Sequence, residues 1–286
     1  MVPFFVFSDG VSLRRELLAA AFLSCALLGC CRTAELPQPR LVLLYATCTV
    51  NCEYLEPYNS EVAYTPNLAK FAESNVVFRR HMSEAGQSGI AYASIVSGKQ
   101  AYQHGVYYHP GKLSDSLYLI TEAFADAGYE PFYWNGHIMA DIKLNFGQGI
   151  DSQNKIRVPP RYIRSILQYS DARFQSLLAE LEKDPDYRAF ILVTFSRTHG
   201  PYHKQFPRKA YEEFRKKFPD ESMGLSMAEI DKYWAIYEKD RRMLECDLDA
   251  SARTRGLSDA DVTTMARVLE WTYKANIAGL DHMFGQ

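Results

Sequence analysis

The sequence has no excess of charge of either sign: 32 Lys and Arg stand against 34 Asp and Glu, a formal net charge of −2. Without a basic footprint, nucleic acid is excluded as an expected partner. No internal repeat and no low-complexity tract is present, which excludes solenoids and long polar linkers. The apolar run from Leu17 to Leu28 is too short to cross a bilayer, which takes about 20 residues. Cysteine is sparse, 6 in 286 residues, and Cys48-x3-Cys52 has no histidines beside it, so it is only a weak zinc signal. What remains is an ordinary globular composition, 47% hydrophobic and 23% charged, long enough to bury a sizeable core in one or two domains.

Arg14-Arg15 precedes the apolar run, which ends in Leu27-Leu28-Gly29-Cys30. Basic residues, a short apolar stretch and small residues make a secretory signal. The last four residues resemble the cleavage site of a bacterial lipoprotein signal, which leaves an acylated cysteine, here Cys30, as the new N-terminus. An ordinary signal peptide cut nearby is the plainer reading, and either one exports the chain. The expected organisation is a lipoprotein-type signal peptide over 1–29, a tether over 30–40 containing Pro37 and Pro39, and a folded domain over 41–286. The expected location is the bacterial periplasm or cell envelope, with the membrane reached through lipid on Cys30. Export permits disulfides. With Cys25 and Cys30 set aside, Cys48 pairs with Cys52, or one of them with Cys246, and Cys31 also remains; the spacing does not choose.

Leu41-Val42-Leu43-Leu44-Tyr45-Ala46 reads as a strand buried on both faces, as in a parallel sheet covered by helices. Thr65-Pro66 opens a helix carrying Leu68, Phe71 and Ala72 on one face, with Thr65 as its cap. Val76-Val77-Phe78 reads as a short strand. Asp115 is expected to cap a helix with Leu117, Ile120, Phe124 and Ala127, ended by Gly128, and Phe132-Tyr133-Trp134 is the next strand. Helical periodicity recurs over Tyr162–Leu167 and in Phe174, Leu177, Leu178 and Leu181. Phe190-Ile191-Leu192-Val193-Thr194-Phe195 is the clearest strand. Residues 209–259 turn polar, with runs such as Glu212-Glu213-Phe214-Arg215-Lys216-Lys217, and read as a solvated helical insertion. A last amphipathic helix carries Val262, Met265, Leu269, Tyr273, Ile277 and Leu280. Strands alternating with helices predict an α/β fold, a mostly parallel sheet flanked by helices on both faces.

The chemistry centres on Glu84-Ala85-Gly86-Gln87-Ser88-Gly89, a permissive loop that runs into Ile90-Ala91-Tyr92-Ala93-Ser94-Ile95-Val96-Ser97-Gly98. That pattern is a loop–helix junction with Ser88 at the helix start. Unpaired N–H groups and the positive end of the dipole favour an anion there, and a hydroxyl so placed can attack phosphorus or sulfur. The bland alternative makes Ser88 only an N-cap.

Around this stretch lie Tyr64-Thr65-Pro66-Asn67-Leu68, Gln103-His104-Gly105-Val106 and the helix ending Ala127-Gly128-Tyr129. In this order and spacing the blocks resemble the N-terminal part of the sulfatase family, within the alkaline-phosphatase-like superfamily. The resemblance implies that 41–286 is a sulfatase-like domain and that Ser88 stands at the nucleophile position. The Pro and Arg of the family motif fall on Ile90 and Tyr92. It also implies a divalent metal ion (calcium, magnesium, manganese or zinc), normally held by two adjacent Asp after the first strand; Thr47 and Cys48 take those places. A hard cation wants carboxylate oxygens, so the ligands are not identifiable here. Cys48 as a thiolate suits a softer metal, though a disulfide or plain packing is the simpler reading. Glu53 and Glu84 are nearby carboxylates with no ligand spacing. Trp134-Asn135-Gly136-His137 resembles the family's Lys-x-His segment with the Lys absent, which offers His137 for contact with the ester or protonation of its leaving group. Arg197-Thr198-His199-Gly200-Pro201-Tyr202 resembles its P-H-x-P-Y segment, which offers His199; the alternative is a turn-capping histidine. His104 reads as packing.

The expected function is a sulfatase-like hydrolase or transferase acting on sulfate or phosphate esters in the cell envelope, with Ser88, His137 and His199 as catalytic residues. The missing Asp pair and motif Arg imply weak or no turnover. The family continues past the last helix into a ligand-bearing strand, so by resemblance the domain is C-terminally incomplete. The rival readings are a non-catalytic lipoprotein that binds a glycan or a protein partner, and a truncated gene product.

Overall fold

Four apolar segments pair as a sheet: β1 (Leu41–Thr47), β2 (Glu130–Asn135), β3 (Lys155–Arg157) and β4 (Ala189–Phe195). The structure is a computed structural model that describes residues 38–157, 172–239 and 256–286. The chain divides into two units, Met1–Pro39 and Arg40–Gln286, and the second holds the sheet. Among the described residues the strand order is β1-β4-β2-β3 and every pair is parallel. β4 is buried along its whole length, as a central parallel strand must be when helices cover both faces.

The helices are α1 (Pro66–Glu73), α2 (Ser88–Ser97), α3 (Ala101–His104), α4 (Ile120–Asp126), α5 (Ala172–Lys183), α6 (Arg208–Lys217), α7 (Met227–Lys239) and α8 (Asp259–Phe284). Alternation along β4 sorts them. Phe190 and Leu192 enter one cluster with Ile90, Ala93 and Val96 of α2, and Phe190 stacks on Phe124 of α4 at 4.1 Å. Ile191, Val193 and Phe195 face the other way, against Leu177 of α5 and Leu280 of α8. The α/β sandwich is therefore confirmed, with helices on both faces. Small residues let α2 sit close to the sheet, and Gly98 ends it at φ 64, its N–H donating to the Ser94 carbonyl at 2.9 Å.

A third cluster joins α6, α7 and α8 through Tyr211, Phe214, Ile230, Tyr233, Met265 and Trp271. The charges of α6 stay outside, where Arg208 pairs with Glu212 at 2.8 Å and Lys209 with Glu213 at 3.6 Å. Its aromatic side is core, which a count of charges conceals.

Several local expectations change. Val76–Phe78 forms no strand; it has no neighbour to pair with, and Val76 and Phe78 are 80% and 70% exposed. The helix expected from Asp115 starts at Ile120, because Glu122 accepts the Leu119 N–H at 2.8 Å while Asp115 accepts from Asn145. Thr65 does not cap α1; its hydroxyl accepts the Glu56 N–H at 2.8 Å. Cys48 and Cys52 are both free thiols, so they do not pair with each other. Cys31, Cys246 and Tyr162–Leu167 lie outside the described residues. β3 had no signal beyond three residues of mixed polarity.

The cap of α1 comes from far away in sequence. Asp281 on α8 is 2% exposed, and its carboxylate accepts the Leu68 N–H at 2.8 Å, the Asn67 N–H at 3.2 Å and the Asn67 side-chain amide at 2.9 Å. Asp281→Ala leaves those donors buried without an acceptor and should cost about 2–3 kcal/mol. Urea unfolding monitored by tryptophan fluorescence checks this: Asp281→Asn, which keeps one acceptor, should fall between Ala and the native chain. Equal midpoints for all three would refute the cap.

Candidate active site

The ends of β1, β2 and β4 lie level. Thr47 registers with Phe195 and Asn135 with Thr194, and the ladder continues through Cys48 N–H to Phe195 O at 3.1 Å and Gly136 N–H to Thr194 O at 2.6 Å. The segments after all three strands therefore leave the sheet at one edge, where open α/β sheets bind ligands. The start of α2 meets them there.

Ser88 is the first residue of α2 and is half-buried. It is not a cap: Gln87 holds that position and makes no side-chain cap hydrogen bond. The first backbone bond of the helix runs from Ala91 N–H to Gln87 O at 3.0 Å, so the amides of residues 88–90 precede it. The Ser88 hydroxyl lies 3.0 Å from the Cys48 thiol, and both line a cleft of about 580 Å³ with Thr47, Thr49, Tyr92 and Glu84. Burial pushes the Cys48 thiol up, against the weaker opposing effect of its bonds to Ser88 and Thr49. A thiol so held stays protonated and cannot take the serine proton.

The two histidines singled out from sequence reach the same edge. The absent family Lys falls on Asn135 or Gly136: Asn135 Oδ1 accepts the His137 N–H at 2.9 Å and the Thr194 hydroxyl at 3.2 Å, and a Cβ on Gly136 would lie 2.9 Å from the Thr194 carbonyl oxygen. His137 is buried, 4% exposed, with its ring 4.9 Å from that of Tyr92. Its Nδ1 accepts the Met139 N–H at 3.1 Å, so the ring proton sits on Nε2. Burial first, then the positive charges of His199 and His109, lowers its pKa to about 4. His137 is thus a neutral donor at physiological pH, not an imidazolium acid. His199 is exposed, and its Nδ1 donates to the Gly200 carbonyl at 2.8 Å. Thr198 anchors this loop by donating to the Cys48 carbonyl, and Gln205 donates to the His199 carbonyl at 2.8 Å. Ser88 hydrogen-bonds to neither imidazole.

Two neighbours, Tyr92 and His104, carry no ligand role. Tyr92, at the position of the motif Arg, is a buried phenol whose pKa burial raises well above 10, and its hydroxyl donates to the Ala46 carbonyl at 3.4 Å. His104 is buried, with Nδ1 accepting from the Val106 N–H and Nε2 donating to Ser94, a packing role as expected. The loop at His109, which the sequence reading passed over, packs against Gly89: a Cβ there would lie 2.8 Å from the His109 Cβ. Only the unexplained Gly after Ser88 signalled that approach.

A sulfatase family model matches residues 49–266. The chain belongs to the sulfatase family. Among solved structures, BT4656, in complex with its substrate D-glucosamine-2-N,6-O-disulfate, matches with 14% identity and a TM-score of 0.52, over 87% of this chain and 61% of that one. The C-terminal periplasmic domain of EcEptC from Escherichia coli, in complex with Zn, is 14% identical with a TM-score of 0.48, over 86% and 60%. The phosphonate monoester hydrolase of Agrobacterium radiobacter is 16% identical with a TM-score of 0.48, over 87% and 58%. The likeness to BT4656 is one of fold, and the chain spans about three fifths of the length of these structures. Comparison with the sequences of curated proteins finds no match.

The family implies a divalent cation, and the side chains here do not fit one. Among the described residues no group of three or more His, Cys, Asp or Glu is placed to hold a metal ion. After β1 the chain offers a hydroxyl and a protonated thiol, and the Thr47 hydroxyl oxygen is buried with no hydrogen-bond partner. Neutral donors of that kind do not replace carboxylates around a hard cation.

The titration of His137 tests the site's electrostatics. The folded chain holds its pKa near 4 against an ordinary 6.5, so the unfolded chain binds the proton first as pH falls. Stability should therefore decline from about pH 6.5 to pH 4, by up to about 3 kcal/mol, and level off below. Nitrogen-15 NMR should show an Nε2-protonated neutral ring with a midpoint near 4, and His137→Asn should flatten that part of the stability profile. A His137 midpoint above 6 would refute the assignment.

Proposed function

We propose that this chain binds a sulfate or phosphate monoester at the start of α2, with the Ser88 hydroxyl set against the central atom, and that it turns the ester over no faster than background. One observation carries the reading: Ser88 stands in the first turn of a ten-residue helix, unspent as a cap and open to a cleft. The helix-terminal amides would hold ester oxygens. His137 would donate to an ester oxygen through Nε2, with His199 at the same edge of the sheet.

Turnover is held down by what Ser88 touches. Its hydroxyl meets a thiol rather than a base. Among the described residues no Lys or Arg lines the cleft. Losing one oxyanion donor costs an enzyme about 3 kcal/mol, and a missing Lewis acid costs several more. The same observations favour a second reading, a non-catalytic member of the family that binds a glycan ester or a protein partner. In either reading the chain is exported, with a signal peptide over 1–29, a tether over 30–40 with lipid on Cys30, and the sulfatase domain over 41–286 with its helical insertion at 209–259.

The test pairs binding with turnover. Saturation-transfer NMR with an aryl sulfate and an aryl phosphate should show binding to the native chain and none to Ser88→Phe. Hydrolysis of both esters, with calcium, zinc or manganese added, should stay at blank level for the native chain and for Ser88→Ala. Absence of binding would sink the reading. Metal-dependent turnover lost in Ser88→Ala would keep the nucleophile and overturn the predicted inactivity.

A further inference from the structure

Gly89, the residue after Ser88, is pressed between two segments. A Cβ there would meet the His109 Cβ at 2.8 Å and the Met139 carbonyl oxygen at 3.7 Å. The loop that carries His109 and the turn that follows His137 therefore close on the first turn of α2 from two sides. Only glycine permits that approach without displacing one of them.

His109 arrives there with its ring uncommitted. It is exposed and makes no hydrogen bond among the described residues, unlike His104, whose two ring nitrogens are both engaged. Its charge, with that of His199, bears on His137, so these three imidazoles share one electrostatic neighbourhood. Positive charge on His109 and His199 disfavours protonation of His137, and an anion bound among them would offset that charge. Among the described residues the cleft beside Ser88 is lined by no Lys or Arg.

We propose that His109 is a third side chain of the oxyanion site, binding the ester's non-bridging oxygens alongside His137 and the first-turn amides of α2. The inference rests on the ester-site reading above. It assigns to the loop after α3, which also carries the exposed Tyr107 and Tyr108, a part in ligand binding.

Inorganic phosphate and inorganic sulfate are the probes, with the full chain labelled at its histidines with nitrogen-15. Saturating phosphate should move the His109 ring resonances and raise the pH at which that ring titrates. His109→Gln should weaken phosphate binding by roughly three- to tenfold. His282→Gln, at the far end of α8, should leave it unchanged. If phosphate binds, Ser88→Phe abolishes binding, and His109→Gln binds as tightly as the native chain, the inference fails while the ester site stands. If the native chain binds neither anion, both fail. The titration of the native chain remains decisive should His109→Gln not fold: His109 resonances unmoved by saturating phosphate overturn the proposal.

Discussion

The register of β4 between β1 and β2 is the constraint on which the rest depends. Its residues pair one for one with Leu41–Thr47 on one side and with Glu130–Asn135 on the other, so three strands end at one level. Cys48, His137 and the Thr198-His199 loop leave the sheet together as a result. Hydrogen bonds extend the ladder one residue beyond β1 and β2, and Thr198 ties the loop after β4 back to the Cys48 carbonyl. The full burial of β4 makes that register hard to slip, because its side chains are divided between two helical layers.

One physical effect sets the character of the site. Burial disfavours charge, so it raises the Cys48 thiol and the Tyr92 phenol and lowers the His137 imidazole. All three stay neutral in the physiological range. A cation held by carboxylates would reverse that pattern, and the residues after β1 do not supply carboxylates. In the proposed site, oxyanion recognition would fall to oriented donors: helix amides, the Nε2–H of His137 and the ring of His109.

Much of this was legible in the sequence. The strands at Leu41, Phe132 and Phe190 were readable because a strand buried on both faces is a continuous apolar run. Ser88 was legible as a helix start because Gly86 and Gly89 flank it. What was hidden depends on partners distant in sequence. Val76-Val77-Phe78 has strand composition but no strand beside it. Thr65 looks like a cap, yet the cap of α1 is Asp281, more than two hundred residues away. The charge run in α6 reads as solvated, although Tyr211 and Phe214 face Trp271. His109 carries no local pattern at all; its place follows from the contact with Gly89, which only folding brings about.

The central claim is that the start of α2, at Ser88, is an oxyanion site that works without carboxylate-held metal. Crystals of the chain soaked in tungstate and measured at the tungsten absorption edge test it most directly. The account predicts an anomalous peak within hydrogen-bonding distance of the Ser88 hydroxyl and the first-turn amides, with no cation needed to see it. Tungstate bound only elsewhere on the molecule, with Ser88 ordered and open to solvent, would contradict it.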